Sequence, residues 1–402
     1  YTVTEDGKTY LFHLKKTHWT NGDLVSAKDF VYAWKKLLNP AGKSPLAYQL
    51  FPIKNAKEAK EGLVSLNDVG VTAVDDFTLK VELAYALPYF IELLSGVAFF
   101  PVNQKLEQKN PKWAESASRD FVGNGPFALT AWEKNKTIAA VKNPKYWEQK
   151  SVFLKSVQID FFNDDQKALQ HYEDGKLHWL GAPISSLPIN YFDQLKDRKD
   201  FASYPISASY WYLFNTQKFP FNQEKLRQAF AYGLDREDLL NGLTDSAHLP
   251  ATGIVPPTEK RLFKKSFFID GNAQLAKKLF EEALEDLSLD KTNFPKITIT
   301  INDAIGHQKV AELIQEQWHK LFGIEVEVES LEWKAYLTKL SQGNFQIGRF
   351  GWIANFDDAM SFLELFRYQA SLNNHTGWED PEYIALLRSE EHTSELQSPC
   401  NL

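Results

Sequence analysis

The chain has 402 residues, past the roughly 250 to 300 at which a single hydrophobic core stops growing, so two or more lobes are expected. At 44% apolar, 24% charged and a formal charge of -7, the composition excludes a disordered chain and argues against a nucleic-acid partner, which would need a basic face. No apolar run approaches the roughly 18 residues that cross a bilayer; the densest, Val97 to Val102, is short and contains Pro101. Aromatic residues are abundant, with 11 Trp, 16 Tyr and 29 Phe. Most are expected to pack the core, and some to line a ligand cleft, where rigid rings give contact area at low entropic cost.

Along the chain, Tyr10 to Leu14 alternates as a strand does. Ser26 then opens a helix with Asp29 three residues on, a capping box, and Phe30, Trp34, Leu37 and Leu38 fall on one face before Asn39-Pro40 ends it. Asp75-Asp76 turns the chain into a strand over Thr78 to Leu83, and Val157, Ile159 and Phe161 repeat the two-residue period. The first 160 residues thus read as strands with few helices. Beyond Asn222 the periodicity becomes helical, in Leu226, Ala229, Phe230 and Leu234 and again in Leu275, Leu279, Phe280, Ala283 and Leu287. A strand at Ile297 to Ile301, a helix at His307 to Leu321 and a strand at Ile324 to Val328 make a βαβ unit and hence a parallel sheet segment. A change of lobe is expected between residues 205 and 255, with Ala251 to Pro257 as a crossing segment.

Signatures of catalysis are absent. Gly123-Asn124-Gly125 lacks the third glycine of a dinucleotide loop, and neither a Gly-x-Ser-x-Gly elbow nor a His-Glu-x-x-His zinc pair occurs. The nine histidines are dispersed, and the closest pair, His13 and His18, has no common metal-ligand spacing. Adjacent acids such as Asp164-Asp165 and Asp357-Asp358 read as turn or capping residues. No enzyme activity, cofactor or metal is therefore expected. The enzymatic alternative is a secreted carbohydrate-active hydrolase, whose two carboxylates need no fixed spacing in sequence. At the ends, the chain opens on Tyr1 and its only methionine is Met360, so further residues, including an export signal, are expected upstream. Arg388 to Ser398 resembles the translation of a sequencing adapter, so 388–402 is expected to be an artefactual tail that packs against nothing. Cys400, the one cysteine, lies in it; the remainder offers no thiol catalyst and no disulfide.

Several segments in unbroken order resemble the peptide/nickel family of extracytoplasmic solute-binding proteins, most closely its oligopeptide-binding branch. They are Trp19 to Asp23 with Ser26 to Trp34, Gly123 to Phe127, Asn143 to Trp147, Phe214-Asn215-Thr216 with Pro220-Phe221, Leu226 to Ala229 ending in Asp235-Arg236, Glu332-Trp333, and Arg349 to Ala354. The resemblance implies an α/β protein with a two-lobed type II periplasmic-binding-protein-like fold and an extra subdomain inserted in the first lobe. Residues 1–100 would be that subdomain, 101–205 the rest of lobe I and 206–387 lobe II, with the chain truncated at both ends and lobe I incomplete. The implied function is capture of an oligopeptide between the lobes, by a monomer, for delivery to the permease subunits of an ABC transporter. The location would be the periplasm or, as a lipoprotein, the cell surface. Within the same fold, the alternative ligand is a metal chelate or glycoconjugate.

The same resemblance assigns ligand residues. Arg349 would pair with the peptide carboxylate, a task that suits a planar guanidinium able to hold both oxygens. His307 matches a position that meets peptide termini, and Trp333, Leu337 and Trp352 match positions lining the cleft. Asn215 and Gly351, inside two of the motifs, join the set. Lys264 or Lys265 could meet the carboxylate of a longer peptide. Two departures stand out: Leu46 replaces a tyrosine, and Asn355 replaces the aspartate that pairs with the peptide ammonium, leaving Asp357 or Asp358 as substitutes.

Overall fold

The computed structural model describes residues 1–393 except 43, 45, 118–120, 186, 188–191, 205, 244–247, 258–265, 370 and 372; it leaves aside the side chains of 192, 193, 305 and 388–393. Lys264, Lys265 and the packing of the 388–402 tail lie outside the described residues. The chain divides into two compact units, one built on Tyr1–Leu180 and the other on Gly181–Ser389. No helix among the described residues is long and apolar enough to cross a membrane.

The first unit carries two antiparallel sheets and about as much helix as strand, more helix than the alternating patterns predict. β1 (Thr2–Val3), β2 (Thr9–His13), β3 (Val71–Ala73) and β4 (Thr78–Glu82) form an antiparallel sheet in the order β1-β2-β4-β3. β5 (Phe127–Glu133), β6 (Thr137–Lys142) and β7 (Ser156–Asp160) form an antiparallel meander. The long helix, Ala27–Leu37, starts where the capping box sets it, with the Ser26 amide donating to Asp29 Oδ2 at 2.9 Å. Trp34 is buried on its inner face, where its indole donates to the Phe99 carbonyl at 2.9 Å and meets the Phe99 ring edge-on at 5.3 Å. Asp29, only 6% exposed, also accepts from the Trp19 indole at 3.3 Å and the Gln104 amide at 3.0 Å. One carboxylate thus caps the helix and ties it to two distant segments.

The second unit carries a mixed sheet in the order β10-β9-β11-β8, made of β8 (Ala208–Phe214), β9 (Ile297–Asn302), β10 (Val326–Leu331) and β11 (Ile347–Ile353). β9 runs parallel to both β10 and β11, and β8 is antiparallel to β11. The helix Ile305–Phe322 links β9 to β10, which is the βαβ unit expected from the sequence. β10 begins two residues later than Ile324, because Gly323 ends the helix in the left-handed region (φ 71°) and the Ile324 carbonyl is held by His319 Nδ1 at 2.8 Å. The helices Glu224–Tyr232, Ala273–Asp286 and Ile305–Phe322 cover one face. There Phe230 packs against Trp318 (4.8 Å) and Phe322 (5.2 Å), and the Trp318 indole donates to the Phe230 carbonyl. The helix Trp333–Ser341 covers the other face through Tyr336 and Leu340, against Leu213 and Phe345.

Replacing Asp29 with alanine leaves the Trp19 indole and the Ser26 and Gln104 amides without their acceptor, while Asp29→Asn keeps part of it. The expected loss for the alanine variant is about 3 kcal/mol, the sum of a lost cap and orphaned donors to a charged group. Urea denaturation followed by tryptophan fluorescence checks this, and an unchanged midpoint contradicts it.

Candidate functional site

In open sheets with parallel strands, ligands collect beyond the carboxyl ends of the strands, where neighbouring strands part. In the second unit that point is well defined. β9 and β10 stay paired to Asn302 and Leu331, whereas β11 pairs with β9 only at Ile347↔Ile299 and Gly348↔Thr300. From Arg349 onward β11 continues with β8 alone, as far as Ile353↔Ala208. Among the described residues, nothing takes β9's place along that side of β11.

Backbone groups alternate in direction along a strand. The Ala354 amide donates to the Ser207 carbonyl at 2.8 Å, so residues 350, 352 and 354 turn their groups to β8. Arg349, Gly351 and Ile353 therefore turn theirs to the free side, and the Tyr336 hydroxyl, reaching in from its helix, donates to the Arg349 carbonyl. The next positions, Gly351 and Ile353, present an amide and a carbonyl each to whatever lies alongside.

Side chains alternate too, and Arg349 shares a face with Tyr210 and Tyr212. Its guanidinium lies over the Tyr210 ring at 4.8 Å, and Nη1 donates to Asn302 Oδ1 at 3.4 Å. Tyr210 Oη lies 3.3 Å from His307 Nδ1 and 3.4 Å from Tyr212 Oη. Arg349 is half-buried, its Nε is buried without a partner, and among the described residues it forms no ion pair. Burial, and then the adjacent Arg349 charge, lower the His307 pKa from 6.5 to about 4, so the ring is neutral at neutral pH. Burial raises both tyrosine hydroxyls above their ordinary range. The result is a cationic, partly desolvated pocket edge holding one fixed positive charge and neutral donors. Gly351 keeps it open: a Cβ there would lie 3.2 Å from the Ser209 carbonyl and 3.9 Å from Arg349 Nη2.

The other charged concavities differ in kind. Two open hollows of about 510 and 560 Å³ lie towards the amino ends of β9 and β10, and share Lys296 and Glu327. In them Lys296 pairs with Glu327 at 2.9 Å and Lys339 with Glu329 at 2.5 Å. Among the described residues no group of three or more His, Cys, Asp or Glu could hold a metal ion.

The expected ligand residues separate into three groups. Arg349, Gly351 and His307 come together as described. Trp352 lies on the opposite face of β11, beside Ser209, with its indole nitrogen buried and without a partner; the Trp211 indole nitrogen on the same face is in the same state. Trp333 opens its helix, 49% exposed and stacked on Tyr336 at 6.0 Å. Leu337 packs, partly buried, into the cluster around Tyr336 and Leu340. Asn215 is 3% exposed and fully used by the fold: Nδ2 donates to the Gly343 and Phe345 carbonyls and Oδ1 accepts from the Gln217 amide. It is a turn-holding residue, with no amide proton left to offer a ligand. Asn355 is exposed just past β11, its amide donating to Ser361 Oγ at 2.8 Å. Asp358 accepts from the Met360 amide at 2.8 Å, one residue ahead of the N-cap of the short helix Met360–Leu363. Leu46 lies in the first unit, half-buried ahead of the turn Ala47–Leu50.

Sequence reasoning did not single out Tyr210, Tyr212, Asn302 or Tyr336. The two tyrosines had a usable signal in the run Ala208–Phe214, whose period of two puts them on one face. Asn302 and Tyr336 reach the site only through the sheet order, which no local pattern encodes.

Residues 1–374 match the family described as bacterial extracellular solute-binding proteins, family 5 middle. The oligopeptide-binding protein OppA of Bacillus subtilis is 41% identical over 389 residues, covering 96% of this chain and 71% of that protein. Among solved structures, a periplasmic oligopeptide-binding protein of Borrelia burgdorferi superposes with a TM-score of 0.83 at 27% identity, over 97% of this chain and 77% of that one. Haemophilus influenzae OppA in complex with RPPGFSPFR gives 0.82 at 28% identity, over 97% and 77%. An α/β architecture in two units, a family match across almost the whole length and relatives above 30% identity lead to one assignment: this chain belongs to the bacterial extracellular solute-binding proteins of family 5.

Proposed function

We propose that the protein captures short peptides outside the cytoplasm, without chemistry, and hands them to the permease subunits of an ABC importer. The observation that carries this reading is the Arg349 guanidinium, half-buried, stacked on Tyr210 and without an ion pair among the described residues. A charge held out of bulk water without a counterion is stabilised by an incoming anion, and a peptide of any sequence ends in a carboxylate. The free side of β11 supplies the second constant element of recognition, because Gly351 and Ile353 can pair with a ligand backbone as a strand adds to a sheet edge. With the carboxyl end at Arg349 and the amino end towards Asn355, the ligand runs antiparallel to β11. The names of the relatives, oligopeptide-binding in Bacillus and Borrelia, support the same ligand class.

Truncating Arg349 to alanine should weaken binding of free peptides by about 2 to 5 kcal/mol, the usual cost of stripping one partner from a buried charged pair. Amidation of the peptide carboxyl end should cost the unmutated protein a similar amount. Titration calorimetry of both tests the proposal, and neither loss appearing removes Arg349 from the site.

Asn355 can accept a hydrogen bond but brings no negative charge to an ammonium group, and charge-assisted bonds are roughly twice as strong as neutral ones. Free and N-acetylated peptides should therefore bind with similar affinity, and Asn355→Asp should favour the free amine. A preference of about a hundredfold for free amines in the unmutated protein, roughly 2.7 kcal/mol, contradicts this.

His307 also makes a prediction about acid. Its folded pKa of about 4 lies below the ordinary 6.5, so between these values the unfolded chain binds the proton more strongly. The stability tied to the neutral ring is complete above about pH 6.5 and declines as pH falls towards about 4. Thermal melts across this window should show the unmutated protein losing melting temperature faster than His307→Gln; parallel profiles would contradict it.

A further inference from the structure

Resting on the peptide-capture reading, we infer that Tyr336 is the positioning residue that sets where a bound peptide strand begins on β11. The geometry is that of a plug in a fork. β11 leaves β9 after Gly348, and the first backbone carbonyl exposed by that parting is Arg349's. Tyr336, fully buried on the helix Trp333–Ser341, donates its hydroxyl to that carbonyl. Of the three residues that turn their backbone groups to the free side, the innermost is thus already occupied, and only Gly351 and Ile353 remain for a ligand. The hydroxyl has no other function in the core. Its ring packs with Leu213, Leu340 and Phe345 and stacks on Trp333, contacts a phenylalanine would keep. Burial holds the phenol pKa above its ordinary range, so it remains a donor at neutral pH.

The consequence is a limit on ligand register. Neighbouring positions on a strand edge are two residues apart, so a peptide antiparallel to β11 can shift only in steps of two residues. With Tyr336 in place, its last paired residue lies opposite Gly351 and its carboxylate reaches the Arg349 side chain. Without the hydroxyl, the Arg349 carbonyl becomes one further acceptor, and a longer peptide gains a hydrogen bond deeper in the fork.

The test is the affinity of the whole chain for unblocked alanine peptides of two to six residues, measured by calorimetry for the unmutated protein and Tyr336→Phe. The inference expects the variant to favour the longer peptides relative to the shorter by about fivefold, the factor supplied by one neutral hydrogen bond of about 1 kcal/mol. A purely structural role for Tyr336 would weaken all lengths alike, and an unchanged length profile overturns the inference. If the unmutated protein binds no peptide of the series, the capture reading itself fails, and the inference with it. Residue-level hydrogen exchange of the unmutated protein gives an independent arm. Added tri-alanine should protect the Gly351 and Ile353 amides; no added protection at either overturns the assigned register.

Discussion

The candidate site depends on one electrostatic fact, a guanidinium kept half out of water with no carboxylate among the described residues to answer it. Isolated buried charges are expensive, and folded chains normally neutralise them, as the partly buried Lys339 is matched by Glu329 of β10. At Arg349 the chain instead supplies softer partners. A tyrosine face lies under the cation, an asparagine oxygen sits at the edge of hydrogen-bond range and a neutral histidine stands close by. These orient the guanidinium without cancelling its charge. On the proposed reading, neutralisation is left to the ligand, which would give binding its driving force and its insensitivity to side-chain identity.

The sheet turns that charge into a directional site. Because β11 outruns β9 by the stretch from Arg349 to Ile353, one strand offers a charged side chain and an unpaired backbone edge in register. An open edge is ordinarily an aggregation hazard. Here it is short, begins at a fork closed by the Tyr336 hydroxyl and ends in the turn at Asn355, where Ser361 Oγ takes the backbone amide. The apolar cores on the two faces hold the strand rigid. Ile347 and Tyr212 belong to the cluster around Phe230 and Trp318, Phe350 and Trp211 to that around Tyr336 and Leu340.

What the sequence made legible was local. The capping box at Ser26 and Asp29, the helical faces beginning at Leu226 and Leu275 and the βαβ order of 297–331 are set by contacts within a few residues and stand near where their patterns put them, although the first of these helices stops at Tyr232, short of Leu234, and β10 is displaced by the left-handed turn at Gly323. Arg349, Gly351 and His307 were accessible through family motifs. Tyr210, Asn302 and Tyr336 were not, since each reaches the site from a different strand or helix and only the sheet order brings them together. Asn215 shows the opposite failing: its motif marks a position whose amide is consumed by the turn after β8. A motif identifies a residue the fold needs, and only the hydrogen-bond accounting tells whether the need is structural or functional.

The claim that Arg349 and the β11 edge exist to hold a peptide is tested most directly by identifying what the protein carries. Mass spectrometry of small molecules released by acid from protein purified without denaturation should find a mixture of short peptides with free carboxyl ends and varied sequence. A single non-peptide ligand, such as a glycoconjugate or a metal chelate, would contradict the account.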